Sequence, residues 1–199
     1  MTKYPHHLIR LIDTLRKLPG VGIKSAERFA FHLLGQSPEV LKEMASVISD
    51  TPLKLTFCSE CGCMELESRC PFCLSSSRNP ELLCLIHSPK DAFAMEETHE
   101  YNGLYHVLGA LLSPVDNFNS DALPTTAIIS RIKNLGIKEV ILALDSTIEA
   151  DATALFLKEE LSNTNITISR LAYGLPMGSA LDFVDGGTLG KAMSGRLNF

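Results

Sequence analysis

No stretch of the chain stays apolar for eighteen residues, so no segment is expected to cross a bilayer as a helix. A secretion leader is also missing from the expected place: in MTKYPHHLIRLIDTLRKLPG, Asp13, Arg16 and Lys17 interrupt what a leader would keep apolar. Both absences point to the cytoplasm and to no membrane partner. An excess of positive charge is lacking as well, since 18 Lys and Arg stand against 23 Asp and Glu for a net charge of −5. That balance argues against a general nucleic-acid glue. Nor is apolar material scarce: 45% hydrophobic and 21% charged residues in a chain of 199 supply one or two modest cores, so disorder is not the expectation. Cysteine, by contrast, is present six times. In a reducing compartment, cysteines at close spacing more often hold a metal than form disulfides.

The charge is unevenly spread. Residues 1 to 35 carry Lys3, Arg10, Arg16, Lys17, Lys24 and Arg28 against only Asp13 and Glu27, which leaves the excess of acid to the remainder. Any DNA contact is expected to begin there. Leu8, Leu11, Ile12, Leu15 and Leu18 recur at helical spacing, as do Ala26, Phe29, Ala30, Leu33 and Leu34. Between the two patterns lies LPGVG, where Pro19 is expected to stop the first helix and Gly20 and Gly22 to form a tight turn open to a ligand. This is the pattern of a helix-hairpin-helix. The amides of the turn and the start of the second helix suit a phosphate, with Lys24, Ser25 and Arg28 on its approach. Such contacts position DNA without reading its bases.

Two other readings of the same residues exist. LPGVG also fits a plain turn between packed helices; the flanking cations are what favour DNA. Gly22-Ile23-Lys24-Ser25 imitates the end of a P-loop, but the first glycine of that motif would fall at Lys17 and no strand precedes it. ATP binding is discounted. A third helix is expected over Ser37–Ser49, with Ser37 as N-cap before Pro38 and Val40, Leu41, Met44, Val47 and Ile48 on its apolar face.

The segment CSECGCMELESRCPFC holds two Cys-x2-Cys knuckles, Cys58 with Cys61 and Cys70 with Cys73. Each turns tightly enough for two thiolates to reach one tetrahedral Zn²⁺ at about 2.3 Å per bond. Four thiolates close the coordination shell and leave no position for an activated water, so the zinc is expected to be structural, one per chain. Cys63 and Cys84 lack a partner at this spacing and are expected to be free thiols. Arg69 and Arg78, close to the knuckles, are further candidates for DNA contact.

From Leu82 onward, short apolar runs alternate with helical stretches: LLCLIH, Asp91 to Glu97, LYHVLGALL, Thr125 to Leu135, EVILALD, Glu149 to Leu161 and ITISRLA. This alternation predicts an α/β domain with a mainly parallel sheet, buried on both faces and flanked by helices. Its functional groups are expected at the carboxyl ends of the strands, where His87, Ser88 and the string ALDSTIEAD stand. Residues 113 to 124 lack an apolar period and read as a surface loop. Gly174, Pro176, Gly178, Gly186 and Gly187 break the chain ahead of a short amphipathic segment from Leu189 to Leu197.

The last domain resembles a Toprim domain, the fold in which topoisomerases and primases hold Mg²⁺ on a glutamate after the first strand and an Asp-x-Asp pair after a later one. With the helix-hairpin-helix and the four-cysteine finger ahead of it, the whole chain resembles the RecR family of recombination mediators. The motifs that carry the likeness are LPGVGIKSAERFAF, the two knuckles, SPKDAFAMEET, Tyr105 to Asp116 with its SPVD, and LDFVDGGTLGKAMSGR. His87 stands where the Toprim glutamate is usual, and the Asp-x-Asp pair reads Asp145-Ser146-Thr147. One aspartate beside an imidazole and a hydroxyl is a poor Mg²⁺ site.

The resemblance implies a division into residues 1–53 (helix-hairpin-helix and following helix), 54–80 (four-cysteine zinc finger), 81–175 (Toprim) and 176–199 (oligomerisation tail). It implies homodimers or ring-like homotetramers, with the tail and the N-terminal helices packing between subunits. It also implies non-enzymatic work on single-stranded, gapped or double-stranded DNA in a bacterial cytoplasm or nucleoid, with partners similar to RecO and RecF, to help load RecA. Arg10, Arg16, Lys17, Gly20, Gly22, Lys24, Ser25 and Arg28 would meet DNA, while Asp145, Glu149 and Asp151 would form a partner surface. Glu149 and Asp151 are equally explained as acids favoured at a helix start. Two other functions fit the residues: a Toprim-type nuclease or primase with a metal on His87, Asp145 and Glu149, and a module that only joins proteins.

Overall fold

The computed structural model describes residues 4–65, 69–113 and 120–196, so Lys3, residues 114–119 of the expected surface loop and Leu197 lie outside the described residues. Residues 1–55 and 56–199 form two compact units. In the first, α1 (His6–Leu15) and α2 (Ile23–Leu34) pack through Ile12, Ala26 and Ala30, with Leu8, Leu11, Leu15 and Val21 closing the edge. Two alanines on one face of α2 let the helices approach closely. The first helix ends earlier than its apolar period suggests: the amide of Leu18 turns back to the Leu15 carbonyl at 3.2 Å, and the Leu18 side chain is exposed. The turn therefore begins before Pro19, which does not itself stop the helix.

The helix α3 (Pro38–Lys54) starts as expected, with the Ser37 hydroxyl accepting from the Val40 amide at 3.5 Å and Pro38 in the first turn. It runs beyond Ser49 and accommodates Pro52 near its end. None of its residues is buried, so Val40, Met44, Val47 and Ile48 form an apolar face that the first unit leaves uncovered.

The second unit is built on a four-stranded, fully parallel sheet in the order β2-β1-β3-β4, formed by β1 (Asn79–Ile86), β2 (Gly103–Val107), β3 (Glu139–Ala143) and β4 (Thr167–Arg170). The helices α4 (Pro89–Glu96), α5 (Thr125–Leu135) and α6 (Ile148–Glu160) connect the strands. Side chains alternate across the sheet. Leu83, Leu85, Leu104, Val140 and Leu142 face Ile128 and Ile132 of α5 and Ala154 and Leu157 of α6. Cys84, Ile86 and Tyr105 face the other way, toward Ala92 of α4 and toward Cys61, Cys63, Cys70 and Phe72 of the cysteine segment. Burial on both faces is why the central strand β1 ends in an unbroken apolar run, Leu82 to Ile86, while the edge strand β4, TISR, has no buried residue and does not.

The tail holds α7 (Gly186–Ser194), which begins at the two glycines that the sequence presents as breakers. Asp185 explains this: its carboxylate accepts from the Thr188 amide at 3.0 Å and caps the helix, and the cap outweighs the poor helical propensity of glycine.

Candidate metal centre and nucleic-acid interface

Gly20 lies at φ +78°, a conformation that disfavours any other side chain, whereas Gly22 is extended and serves as the N-cap of α2. A Cβ placed on either glycine would meet nothing within 4 Å, so the surface above the turn is open. Gly22 has no side chain to satisfy the amides that begin α2, and these amides face the turn without intrahelical partners. Arg10, Arg16, Lys17, Lys24 and Arg28 are exposed, and Ser25 is half-buried. Arg16 leans on Asp13 at 3.3 Å, an exposed pair that adds little stability. A loose pair of this kind leaves the guanidinium available to a phosphate.

The four sulfurs of Cys58, Cys61, Cys70 and Cys73 lie within 4.8 Å of one another, the only such group of His, Cys, Asp and Glu ligand atoms among the described residues. Cys58 and Cys73 approach to 4.0 Å, and Cys61 and Cys70 to 3.5 Å. Sulfurs about 2.3 Å from one tetrahedral ion stand about 3.8 Å apart, so the cluster has the right size for a metal. Two backbone turns build it. In the first, the Gly62 amide donates to the Cys58 carbonyl and the Cys58 amide to the Cys63 carbonyl, both at 2.8 Å. Gly62 sits at φ +74°, and a Cβ there would come within 2.9 Å of Val107. In the second, the Cys73 amide donates to the Cys70 sulfur at 3.4 Å.

Side-chain hydrogen bonding by Cys63, followed by burial, pushes the Cys61 thiol well up from its usual range; hydrogen bonding by Cys61, followed by burial, does the same to Cys73. Loading a metal must therefore displace protons, and acid should release it. Cys63 and Cys84 are free and buried outside the cluster, and burial pushes the Cys84 thiol up to about 12.

Arg78 has a structural place. It donates to the Gly103 carbonyl at 2.8 Å, pairs with Glu96 at 2.5 Å and stacks over Phe72 and Tyr105. Its guanidinium is thereby withdrawn from DNA, while Arg69 is exposed.

At the carboxyl ends of β1 and β3, a cavity of about 210 Å³ is lined by Asp91 and Asp145 among apolar side chains. Asp91 is committed to the start of α4, accepting the Ser88 amide at 2.7 Å. Among the described residues, His87, Asp145 and Glu149 do not converge on one point as a metal site would require. The Thr147 hydroxyl caps α6, with Glu149 and Asp151 in its first turn, as the helix dipole favours. Asp151 is engaged within the chain: it accepts from Arg170 at 2.5 Å, Tyr173 at 2.6 Å and Lys191 of α7 at 3.2 Å. Lys191 also donates to Ser146 at 3.1 Å. An ammonium from the tail thus bridges two residues close to β3.

The Tyr173 hydrogen bond, then those of Arg170 and Lys191, hold the Asp151 carboxyl down at about 2. A depressed carboxylate pKa means the contact is complete above the ordinary carboxylate range and is lost only as pH falls toward that value. Asp151→Asn is expected to raise amide exchange in α7 several-fold at pH 7. Wild-type α7 should keep its protection from pH 8 to pH 5. Equal exchange in the two proteins at pH 7 would show that the network does not hold the tail.

A glycine hairpin between helices, a four-cysteine cluster and a parallel Toprim-type sheet define a helix-hairpin-helix protein with a Toprim domain. Family models agree: "RecR, helix-hairpin-helix" matches residues 8–51, "Toprim domain" residues 81–172 and "RecR, C-terminal" residues 174–197. The chain is 54% identical over 197 residues to the recombination protein RecR of Protochlamydia amoebophila, covering 99% of this chain and all of that one. It is 46% identical over 198 residues to the same protein of Chlamydia abortus, covering 98% of each chain, and 44% identical over 201 residues to that of Chlamydia pneumoniae, covering both completely. The chain belongs to the RecR family of recombination proteins. That membership gives it a role in recombination repair, and its helix-hairpin-helix is consistent with contact with DNA. Among the described residues, no helix is long and apolar enough to cross a membrane.

Two side chains with long-range contacts, Lys191 to Asp151 and Arg131 to Cys73, escape the sequence reading. Lys191 is far from Asp151 along the chain, and no local pattern announces the contact. Arg131 had a signal: it lies three residues after Ile128 and just before Ile132, on the apolar stripe of α5, where a charge requires an explanation.

Proposed function

We propose that the protein is a DNA-binding recombination mediator without catalysis of its own, acting on single-stranded, gapped or double-stranded DNA. With partners similar to RecO and RecF, it helps RecA load on gapped single strands. The observation that carries this reading is the hairpin, where five exposed cations flank a turn whose glycines leave the amides open to phosphate. Arg10, Arg16, Lys17, Gly20, Gly22, Lys24, Ser25 and Arg28 form that contact. It positions DNA without selecting sequence, which suits a protein needed wherever a gap arises.

One structural Zn²⁺ is held by Cys58, Cys61, Cys70 and Cys73, and its four thiolates leave no place for a reacting water. The working parts are residues 1–53, 54–80, 81–175 and 176–199. Asp145 and Glu149 supply the acidic partner surface beside Asp151, whose charge is already shared with Lys191 and Arg170. The uncovered apolar face of α3 and the exposed Phe29, Phe31 and Leu34 of α2 favour a homodimer or homotetramer. Assembly also answers the weakness of a single hairpin, because linked copies raise the effective concentration of contacts. The protein works in the bacterial cytoplasm or nucleoid.

The test is a DNA titration of the zinc-loaded protein against salt, with and without Mg²⁺, recording assembly mass and strand length. An oligomer on intact DNA is expected. Cut or extended strands in Mg²⁺ would establish the nuclease or primase reading instead, and salt-insensitive or absent DNA binding would leave a protein-joining module.

A further inference from the structure

Arg131 is a buried guanidinium, only 7% exposed, on the face of α5 that also buries Ile128 and Ile132. Nη1 donates to the Tyr105 carbonyl at 2.6 Å and lies 3.4 Å from His106 Nδ1; Nη2 donates to the Cys73 sulfur at 3.1 Å. Among the described residues, no carboxylate lies within ion-pair distance of it. An arginine stays charged, and a buried charge is costly unless an opposite charge stands near it.

The cysteine cluster supplies one. A divalent ion with four thiolates carries two net negative charges, held here beside a buried sheet face. Cys73 is the one sulfur of the four on a residue that is not fully buried, and with Arg131 it lines a cavity of about 600 Å³. It is thus the ligand that a chelator or electrophile reaches most readily. A hydrogen bond from a fixed cation draws electron density from a metal-bound thiolate and lowers its reactivity toward electrophiles.

We propose that Arg131 is the positioning residue and counter-charge of the metal centre: its N–H···S bond holds Cys73 on the ion, shields it from attack and ties α5 to the knuckles. This inference rests on the zinc reading. The side chain reaches the sulfur past the edge strand β2, whose Val107 amide also donates to the Cys61 carbonyl, at 2.8 Å. The Toprim domain therefore grips the cluster at both knuckles, at Cys61 through the backbone of β2 and at Cys73 through Arg131 of α5.

The test uses the full-length zinc-loaded protein and the variants Arg131→Met, Arg131→Lys and, as a control at another buried residue of the same helix, Ile132→Ala. Zinc transfer to a chromophoric chelator, the thiolate-to-metal absorption of the Co²⁺ form and the order in which N-ethylmaleimide labels the cysteines are followed. Arg131→Met is expected to weaken zinc binding about 10- to 100-fold, to shift the Co²⁺ band and to make Cys73 the first cysteine labelled. Arg131→Lys should fall between it and the wild type, and it carries the test if Arg131→Met does not fold. Ile132→Ala should lower the melting temperature while leaving zinc transfer and the Co²⁺ band unchanged. Wild-type transfer rates and labelling order in both Arg131 variants would overturn the proposal. So would loss of zinc from Ile132→Ala as fast as from Arg131→Met, which would reduce Arg131 to packing. A wild-type protein that binds no zinc would instead refute the zinc reading itself.

Discussion

Protein carrying Lys24→Ala together with Arg28→Ala is expected to bind DNA far more weakly than the wild type and with a flatter dependence on salt. Both side chains are exposed on α2, within two turns of the open glycine hairpin. Each phosphate neutralised on duplex DNA contributes about 0.9 to the slope of log K against log salt, so losing two contacts should reduce the slope by about 1.8 per chain. In an assembly of several chains the loss repeats, and binding near physiological salt should fall by more than tenfold. Fluorescence anisotropy at a series of salt concentrations checks this, with zinc content and melting temperature as controls. Neither substitution touches the α1–α2 core, which rests on Ile12, Ala26 and Ala30, so both controls should match the wild type. An unchanged slope would remove the hairpin from the DNA interface.

Replacing Cys61 by Ser should have the larger effect on the fold. One lost thiolate opens the coordination shell, and the ion should leave. Apparent binding free energies of structural zinc are on the order of 10 kcal/mol. The knuckles do not stand alone: Cys61, Cys63, Cys70 and Phe72 share a core with Cys84, Ile86 and Tyr105 of the sheet. Release of the ion should therefore loosen one face of the Toprim sheet as well as the finger. A loss of even about 4 kcal/mol corresponds to a melting temperature roughly 8 to 16 °C lower for a domain of this size. Zinc analysis with thermal unfolding measures both effects, and chelation of the wild type should reproduce them. A variant that keeps zinc, or melts with the wild type, would contradict a structural metal.

The parts most legible in the sequence were those whose chemistry is local. Two Cys-x2-Cys pairs announced the cluster because each knuckle is a short-range turn, and the sulfurs do converge. Unbroken apolar runs announced a parallel sheet, because strands covered on both faces cannot alternate with polar residues. The span of α5 was legible from its period alone. Contacts between distant residues were not. Asp151 reads as a free acid at a helix start until Arg170, Tyr173 and Lys191 arrive from elsewhere in the chain. The glycines of α7 read as a break because the cap that offsets them comes from one preceding aspartate. The face of α3 reads as apolar by its period, and the first unit leaves it uncovered; periodicity reports that a face is apolar, not what covers it.

The bond from Arg131 to Cys73 spans 58 residues. During synthesis the four cysteines leave the ribosome well before β2 and α5 exist to pack on them. At about 5 to 20 residues per second, that interval is on the order of 3 to 12 seconds. For this time the nascent finger has its ligands but neither the sheet behind them nor the arginine beside Cys73. On the zinc reading proposed above, the metal is captured in this interval without either support, and a shortage of it should be felt first by the molecules still being made.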